Sequence, residues 1–456
     1  MSTRFARLVR FAVGVALCLA AAALLAGALV IAPHRALAIT SPRPAVAPHR
    51  ALAITPARAS ATRRPRLNVS GAILIEQRTG QLLYGVNPGR RLPIASTTKL
   101  MTALVTLERI RRLGRMFTAP NYRSAPADSQ IGLIPGERMS VSDLLLALLL
   151  PSADDAAQDL AYNVGHGSVV RFIRMMNARA RELGLTHTHY STPIGFDTPG
   201  NYSSASDLVK LASFLLRHHT FFRHAVASPR AVLRSGNYVR VVSNTNDLVG
   251  RVRWVNGVKS GHTLDAGYVL VGSGTRSGMT LLSAVLGTSS QSARDAATLA
   301  VLSYGFASFV LATPVKAGSV AARVSVRDRP GVRAEVIAAS TVTRVIRRGT
   351  RLSTRIRLPN ELAGPLRRHA ILGTLVLLGD GRPIARVQLL LANALAAVSP
   401  LTLTARFITR PTTLVWLALA ICLVLGVTAR RRWRIREQRG KGPSQHDNHR
   451  HAQRSA

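Results

Sequence analysis

Two short groups of polar residues have the composition of a nucleophilic site. The first is Ser96-Thr97-Thr98-Lys99, where a spacing of i, i+3 places serine and lysine on one helical face, within contact range. At a helix N-terminus, the dipole favours negative charge developing on the serine. A lysine that is partly buried near other cations loses its proton readily and can activate that serine. The same residues also fit an N-cap serine followed by a solvated lysine.

The second group is Lys259-Ser260-Gly261-His262-Thr263, which precedes a predicted strand, Tyr268–Ser273. By itself it is typical of a polar entry into an edge strand, where a lysine ordinarily protects against aggregation. A further group between these two, Ser152-Ala153-Asp154, follows the apolar helix Leu144–Leu150. By itself it is typical of a helix-helix turn capped by Ser152.

Together and in this order, the three groups resemble the Ser-x-x-Lys, Ser-x-Asn and Lys-Thr-Gly set of penicillin-recognising serine enzymes. The flanking sequence is similar to that of D-alanyl-D-alanine carboxypeptidases, the low-molecular-mass penicillin-binding proteins, from about Asn68 to Phe309. The matching stretches are Pro93–Leu104, Asp155–Ala157, Met176-Asn177, Leu183-Gly184, Tyr202–Asp207, Asn244–Asn246, Gly257–Thr263 and Ala266-Gly267.

The resemblance implies a catalytic role for Ser96, Lys99 and Ser152. Ser96 would attack the carbonyl between two D-alanines of a peptidoglycan stem peptide, and Lys99 would take its proton. Ser152 would relay protons between the lysines and the leaving amine. The terminal D-alanine leaves, and water then releases the acyl-enzyme. β-Lactams would be trapped as slow acyl-enzymes.

The resemblance also implies how the substrate is held. Lys259 would supply positive potential, while Ser260, Gly261, His262 and Thr263 would form the strand that binds the substrate's carboxylate and backbone. The oxyanion would rest on the backbone N–H groups at the nucleophile and at His262. No metal or organic cofactor is implied.

Two residues depart from the family pattern. Ser260 replaces threonine but keeps the hydroxyl, so we expect a mild effect. Asp154 stands where the family has an asparagine that donates an amide N–H to substrate, and an ionised carboxylate cannot donate. It would also favour the protonated form of Lys99 and weaken it as a base.

Asp154 therefore leaves a second hypothesis open beside the active enzyme. A catalytically weak or silent homologue would still bind cell-wall peptides. A β-lactamase on the same fold ranks lower, because no extra carboxylate for activating the deacylation water is identifiable. A nucleic-acid binder is disfavoured, because the folded part is expected outside the cytoplasm and the few aromatic residues form no base-stacking array.

Hydrophobic patterns predict the elements that position these groups. Strands are expected at Gly71–Glu76 and Gln81–Val86, helices from about 96 to 217, and strands again at Tyr268–Ser273 and Thr280–Leu286. A closing helix follows near Ser292–Phe309. This order predicts an α+β fold, an antiparallel sheet covered by helices, over residues 67–310.

A small β-rich domain is predicted for residues 314–400. Its expected strands are Val320–Val326, Ala334–Ala338, Thr341–Ile346, Leu375–Leu378 and Arg382–Leu391. Turns at Pro330-Gly331 and Gly379-Asp380-Gly381 separate several of these strands.

Both ends of the chain predict contact with the cytoplasmic membrane. Residues 1–38 form a signal peptide or an N-terminal anchor, and 39–66 a Pro/Ala/Arg-rich linker that contains a duplicated segment. Residues 412–429 predict a transmembrane helix, and the basic residues 430–456 a cytoplasmic tail. The domains between would then be extracytoplasmic.

Composition sets the remaining limits. The 456 residues carry 61 Lys+Arg against 20 Asp+Glu, a formal charge of +41 that favours anionic partners or reflects an arginine-rich genome. Only two cysteines occur, which excludes a disulfide framework and a cysteine-based zinc site. The expected partners are peptidoglycan stem peptides, β-lactams as inhibitors and the membrane.

Overall fold

The computed structural model describes residues 50–51, 63–123, 129–397, 399, 404 and 411–439. The predicted segment 1–38, most of the linker 39–66 and the tail beyond residue 439 lie outside the described residues.

The first ten strands belong to the N-terminal two thirds of the chain. They are β1 (Arg50–Ala51), β2 (Gly71–Glu76), β3 (Leu82–Val86), β4 (Met116–Thr118), β5 (Arg138–Ser140), β6 (Arg230–Leu233), β7 (Arg240–Ser243), β8 (Val255–Thr263), β9 (Gly267–Arg276) and β10 (Met279–Thr288). Strands β3-β2-β10-β9-β8 form one five-stranded antiparallel sheet in that order, with β8 at an edge.

Helices from the middle of the chain and one closing helix cover this sheet. They are α1 (Lys99–Arg109), α2 (Val141–Leu149), α3 (Asp154–Val164), α4 (Val169–Glu182), α5 (Ala205–His218), α6 (Thr220–Val226), α7 (Leu248–Arg251) and α8 (Gln291–Ser308). Four of them begin at a serine whose side chain accepts a hydrogen bond from the backbone three residues on: Ser140, Ser168, Ser204 and Ser290.

The main hydrophobic core surrounds α1. Residues 99–106 of that helix are all buried, and they pack against α2, α3 and α5. The N-terminus of α1 is therefore held by the main hydrophobic core, and a nucleophile there gains the fixed geometry that it needs.

The C-terminal sheet domain adds eight strands. They are β11 (Phe309–Val315), β12 (Val320–Val326), β13 (Arg329–Ala338), β14 (Val342–Arg347), β15 (Leu352–Arg357), β16 (Glu361–Leu362), β17 (Ile371–Gly379) and β18 (Arg382–Leu391). A seven-stranded sheet, β1-β15-β17-β18-β13-β12-β16, and the pair β11-β14 enclose a separate core. Strand β11 begins at Phe309, directly after the last residue of α8. It therefore spans residues 311–313, which the sequence prediction left between the two domains.

The last described helix is α9 (Pro411–Arg439). Its segment Pro411–Arg436 is 26 residues long and contains an 18-residue stretch with a mean hydropathy of 2.3, so it is long and apolar enough to cross a membrane. This C-terminal apolar helix fits a membrane anchor. The predicted span 412–429 lies within it, and the helix continues into the basic residues.

Candidate active site

Ser96 lies in a short 3₁₀ helix, Ala95–Thr98, that runs directly into α1. Ala95 has a φ of +46°, and the backbone of Gly195 packs against it so closely that a Cβ at Gly195 would lie 2.0 Å from the Ala95 oxygen. Glycine is therefore required at 195, where φ is also +103°. This close backbone contact fixes the turn that presents Ser96.

Lys99 is one helical turn after Ser96, and its side chain is fully buried. Its Nζ donates to Ser96 Oγ at 2.8 Å and to the Ile194 backbone oxygen at 3.0 Å. It also lies 2.6 Å from Asp154 Oδ1. An ammonium has three N–H donors, and three acceptors surround this one. The geometry therefore fits a protonated Lys99.

Ser152 lies in the tight turn between α2 and α3, with a φ of +69°. Its Oγ is buried, and no described residue hydrogen-bonds to it. A buried hydroxyl without a protein partner normally costs stability. The hydrogen-bonding capacity of this hydroxyl is therefore unused by the described residues.

The carboxylates of Asp154 and Asp155 accept hydrogen bonds from the backbone of residues 129–133. Asp154 Oδ2 accepts from the Ser129 N–H at 3.1 Å, while Asp155 Oδ2 accepts from the N–H groups of Ile131 and Leu133 at 3.1 and 2.9 Å. Asp154 is therefore fixed from both sides, with one oxygen on the loop and the other on Lys99.

Lys259 points into the interior from edge strand β8 and is 1% exposed. Its Nζ donates to the Ser260 backbone oxygen at 2.9 Å. Burial lowers the pKa of Lys259 well below its ordinary value, and the positive charges of Lys99 and Arg294 lower it further, whereas Asp154 opposes them. The two lysines therefore differ in their surroundings. Lys99 is in contact with the Asp154 carboxylate, whereas Lys259 has the lowered pKa.

Strand β8 passes directly beside the nucleophile. A Cβ at Gly261 would lie 2.8 Å from the Ser96 nitrogen, so only glycine lets the strand approach this closely. Ser260 Oγ is 2.8 Å from Thr245 Oγ1, which in turn donates to the Leu150 oxygen at 3.2 Å. The structure therefore brings Ser96, Lys99, Asp154 and Gly261 of β8 together.

The last two predicted residues of β8 differ from each other. His262 is exposed, with its ring stacked on Tyr268 at a centroid distance of 4.0 Å. Thr263 Oγ1 donates to Asp197 Oδ1 at 2.6 Å and accepts from the Ala266 N–H at 3.2 Å. The Thr263 hydroxyl is thus engaged within the protein, and its proton is not directed at a substrate.

Sequence reasoning missed three contributors to this site. Arg294 is 3% exposed and ion-paired to Asp295 at 2.8 Å, yet its charge acts on Lys259. Asp197 and the Ile194 carbonyl come from a loop almost a hundred residues after Ser96. No local pattern links them to the motifs, because their contacts are long-range and partly made by backbone.

The α+β fold, the contact between the partly exposed serine and the buried lysine, and the second lysine on the adjoining edge strand define a serine hydrolase of the penicillin-recognising class. The family model described as D-alanyl-D-alanine carboxypeptidase, peptidase family S11, matches residues 58–290. The chain belongs to this family.

Similar proteins and structures agree with this assignment. The chain is 30% identical over 322 residues to D-alanyl-D-alanine carboxypeptidase DacF of Bacillus subtilis (strain 168), which covers 69% of the chain and 82% of that relative. It is 31% identical over 348 residues to DacC of Escherichia coli (strain K12), covering 72% and 84%. The structure of penicillin binding protein 5 from Haemophilus influenzae is 28% identical, with a TM-score of 0.61, covering 74% of the chain and 99% of that structure. The Streptomyces K15 DD-transpeptidase structure is 34% identical, with a TM-score of 0.52, covering 54% and 100%.

Proposed function

We propose that this enzyme removes the terminal D-alanine from peptidoglycan stem peptides through an acyl-enzyme on Ser96. The observation that carries the proposal is the 2.8 Å contact between Lys99 Nζ and Ser96 Oγ, in a buried site directly beside strand β8. The family relationship supplies the substrate class. A stem peptide would lie along the open edge of β8.

In the proposed reaction, Ser96 Oγ bonds to the carbonyl carbon and its proton passes to Lys99. Lys99 must first be neutral, since an ammonium cannot accept a proton. The oxyanion rests on the backbone N–H groups of Ser96 and His262. Ser152 then relays this proton from Lys99 to the leaving amine, the C–N bond breaks and D-alanine departs. Water attacks the ester carbonyl, returns a proton to Ser96 Oγ and releases the shortened peptide as its acid.

A weak or silent homologue that binds cell-wall peptides is the second candidate. The 2.6 Å contact between Asp154 and Lys99 favours it, because this carboxylate stabilises the inactive protonated lysine. Replacing Asp154 by asparagine should raise activity sharply if this second candidate is right, and only modestly if the chain is already an efficient enzyme.

We further propose that α9 anchors the enzyme in the cytoplasmic membrane, with the catalytic domain outside and the basic tail inside. The arginines that follow the apolar segment support this orientation by the positive-inside rule. β-Lactams would acylate the same serine. Protease digestion of intact spheroplasts should remove the catalytic domain and leave a tail epitope protected. Protection of the catalytic domain would contradict the orientation.

The experiment for the activity measures D-alanine released from diacetyl-Lys-D-Ala-D-Ala by the full chain in detergent. Ser96→Ala is the matched control. We expect release by the native protein only. A folded native protein that binds the peptide without releasing D-alanine would favour the second candidate instead.

A further inference from the structure

The loop of residues 193–201 contacts both halves of the active site. Its inner part lies against the nucleophile helix: the Pro193 oxygen accepts from Thr102 Oγ1 at 2.6 Å, and the Ile194 oxygen accepts from Lys99 Nζ at 3.0 Å. Gly195 then packs on the Ala95 backbone. These contacts anchor the inner part independently of the residues that follow.

The outer part of the loop, residues 196–200, is exposed. One side chain there, Asp197, reaches strand β8. Its Oδ1 accepts from Thr263 Oγ1 at 2.6 Å, and its Oδ2 accepts from the Asp265 N–H at 3.0 Å. One carboxylate oxygen therefore binds the last residue of β8 and the other binds the turn that follows, and hydrogen bonds to a charged acceptor are the stronger kind.

The end of β8 has few other constraints. It is an edge strand, so β9 pairs with it on one side only. His262 is exposed, and the next turn carries Leu264, which is 94% exposed. The His262 N–H is nevertheless a proposed oxyanion donor, which must be held within a few tenths of an ångström to be effective.

We propose that Asp197 is a positioning residue that fixes the C-terminal end of β8, and with it the His262 N–H, relative to Ser96. This rests on the proposed function. Asp197 does not touch the reacting atoms. It acts through Thr263 and the Asp265 backbone, and it links the loop that contacts the general base to the strand that contacts the substrate.

The position of Asp197 predicts a specific kinetic signature. Removing its carboxylate should lower kcat about tenfold, less than the roughly 10²–10³ for deleting an oxyanion donor, because the donor is loosened and not lost. The pH dependence of kcat should stay unchanged, since the inner part of the loop still holds Lys99. A purely structural role would unfold the whole loop, release the Ile194 carbonyl from Lys99 and move the pH profile.

The test compares full-length native protein with Asp197→Ala, Asp197→Asn and the control Thr198→Ala, using D-alanine release from diacetyl-Lys-D-Ala-D-Ala between pH 6 and 10. We expect a tenfold loss of kcat for Asp197→Ala with an unshifted profile. Asp197→Asn should have a kcat between those of Asp197→Ala and the native protein, because its one amide oxygen can replace only one of the two acceptors. Thr198→Ala, which changes an exposed neighbour in the same loop, should remain close to native.

Three results would overturn the inference. They are a native kcat for Asp197→Ala, a profile that shifts with the loss of activity, and an Asn variant as impaired as the Ala variant. Inactivity of the native protein itself would instead contradict the proposed function, so the two failures are distinguishable. Circular dichroism of each variant establishes that it is folded.

Discussion

Replacing Asp154 by asparagine should accelerate acylation of Ser96 at neutral pH. The carboxylate lies 2.6 Å from Lys99 Nζ, in a site where the two side chains are 6% and 0% exposed. Lys99 is thereby kept as an ammonium that donates to Ser96 Oγ and cannot accept its proton. Asparagine removes the charge and restores the amide donor expected by the family pattern.

The size of the effect follows from the contact. Unit charges 2.6 Å apart attract by about 6 kcal/mol at an effective dielectric constant of about 20. Desolvation of two buried ions offsets several kcal/mol of this attraction. Even about 1.4 kcal/mol of net preference for the ion pair makes neutral Lys99 about tenfold rarer. We therefore expect a gain of about tenfold for Asp154→Asn if the native chain is already an active enzyme, and a much larger gain if it is a silent homologue.

The assay is the second-order rate of acylation by a fluorescent penicillin from pH 6 to 10. The native rate should rise with pH as Lys99 loses its proton, and the advantage of Asp154→Asn should shrink towards pH 10. Asp154→Ala is the matched control, because it removes the charge without supplying an amide donor. Equal native and Asp154→Asn rates at pH 7, with superimposable profiles, would refute the reasoning.

Three further perturbations test the fold that supports this site. Arg240→Met should lower the melting temperature strongly, because it leaves Glu137 as a buried carboxylate without its ion-pair partner. The N–O distance of that pair is 2.8 Å, and breaking a buried pair typically costs about 3–5 kcal/mol. Hydrogen bonds from Arg240 and nearby backbone outweigh burial and lower the pKa of Glu137, so the pair's contribution should fade as the pH falls through that lowered pKa. An unchanged melting temperature at pH 7 would contradict this. Asp159→Asn should stabilise the protein at pH 8 and much less at pH 5, because burial raises the pKa of Asp159 to about 7 and the native state must ionise a buried carboxyl above that pH. Equal melting-temperature changes at the two pH values would count against it. Gly195→Ala should abolish penicillin acylation while the protein stays folded, because its Cβ would lie 2.0 Å from the Ala95 oxygen; a native acylation rate would show that the turn can move.

The regular elements were predictable where the hydrophobic pattern is strong. The strand expected at Gly71–Glu76 is β2 itself, and those at Val320–Val326 and Arg382–Leu391 match β12 and β18. Strand β15, Leu352–Arg357, is not predicted, because the buried position between Leu352 and Ile356 is taken by the polar Thr354 and only two apolar residues mark the strand.

The active-site strand shows why function obscures a local pattern. The polar pattern of residues 259–263 predicts an entry segment before a strand, but these residues are the end of the nine-residue strand β8. Lys259, Ser260 and Gly261 occupy buried positions where a sheet normally has apolar side chains. Their types identified the chemistry and at the same time concealed the strand.

The contacts across the site were predictable only in part. The i, i+3 spacing gave the Ser96–Lys99 contact, and the family pattern brought Asp154 near Lys99. The Asp197–Thr263 contact joins residues 66 positions apart, and the Lys99–Ile194 contact uses a backbone oxygen. Neither contact leaves a periodic signal, because each depends on how the completed fold brings distant loops together.

Covalent labelling by a fluorescent penicillin tests the central claim most directly. Native protein and Ser96→Ala are incubated with the reagent at pH 7 and pH 9.5, and the labelled peptide is identified by mass spectrometry. The account predicts one label on Ser96, faster at pH 9.5 and absent from the variant. A folded native protein that takes no label at either pH would contradict an activated serine at position 96.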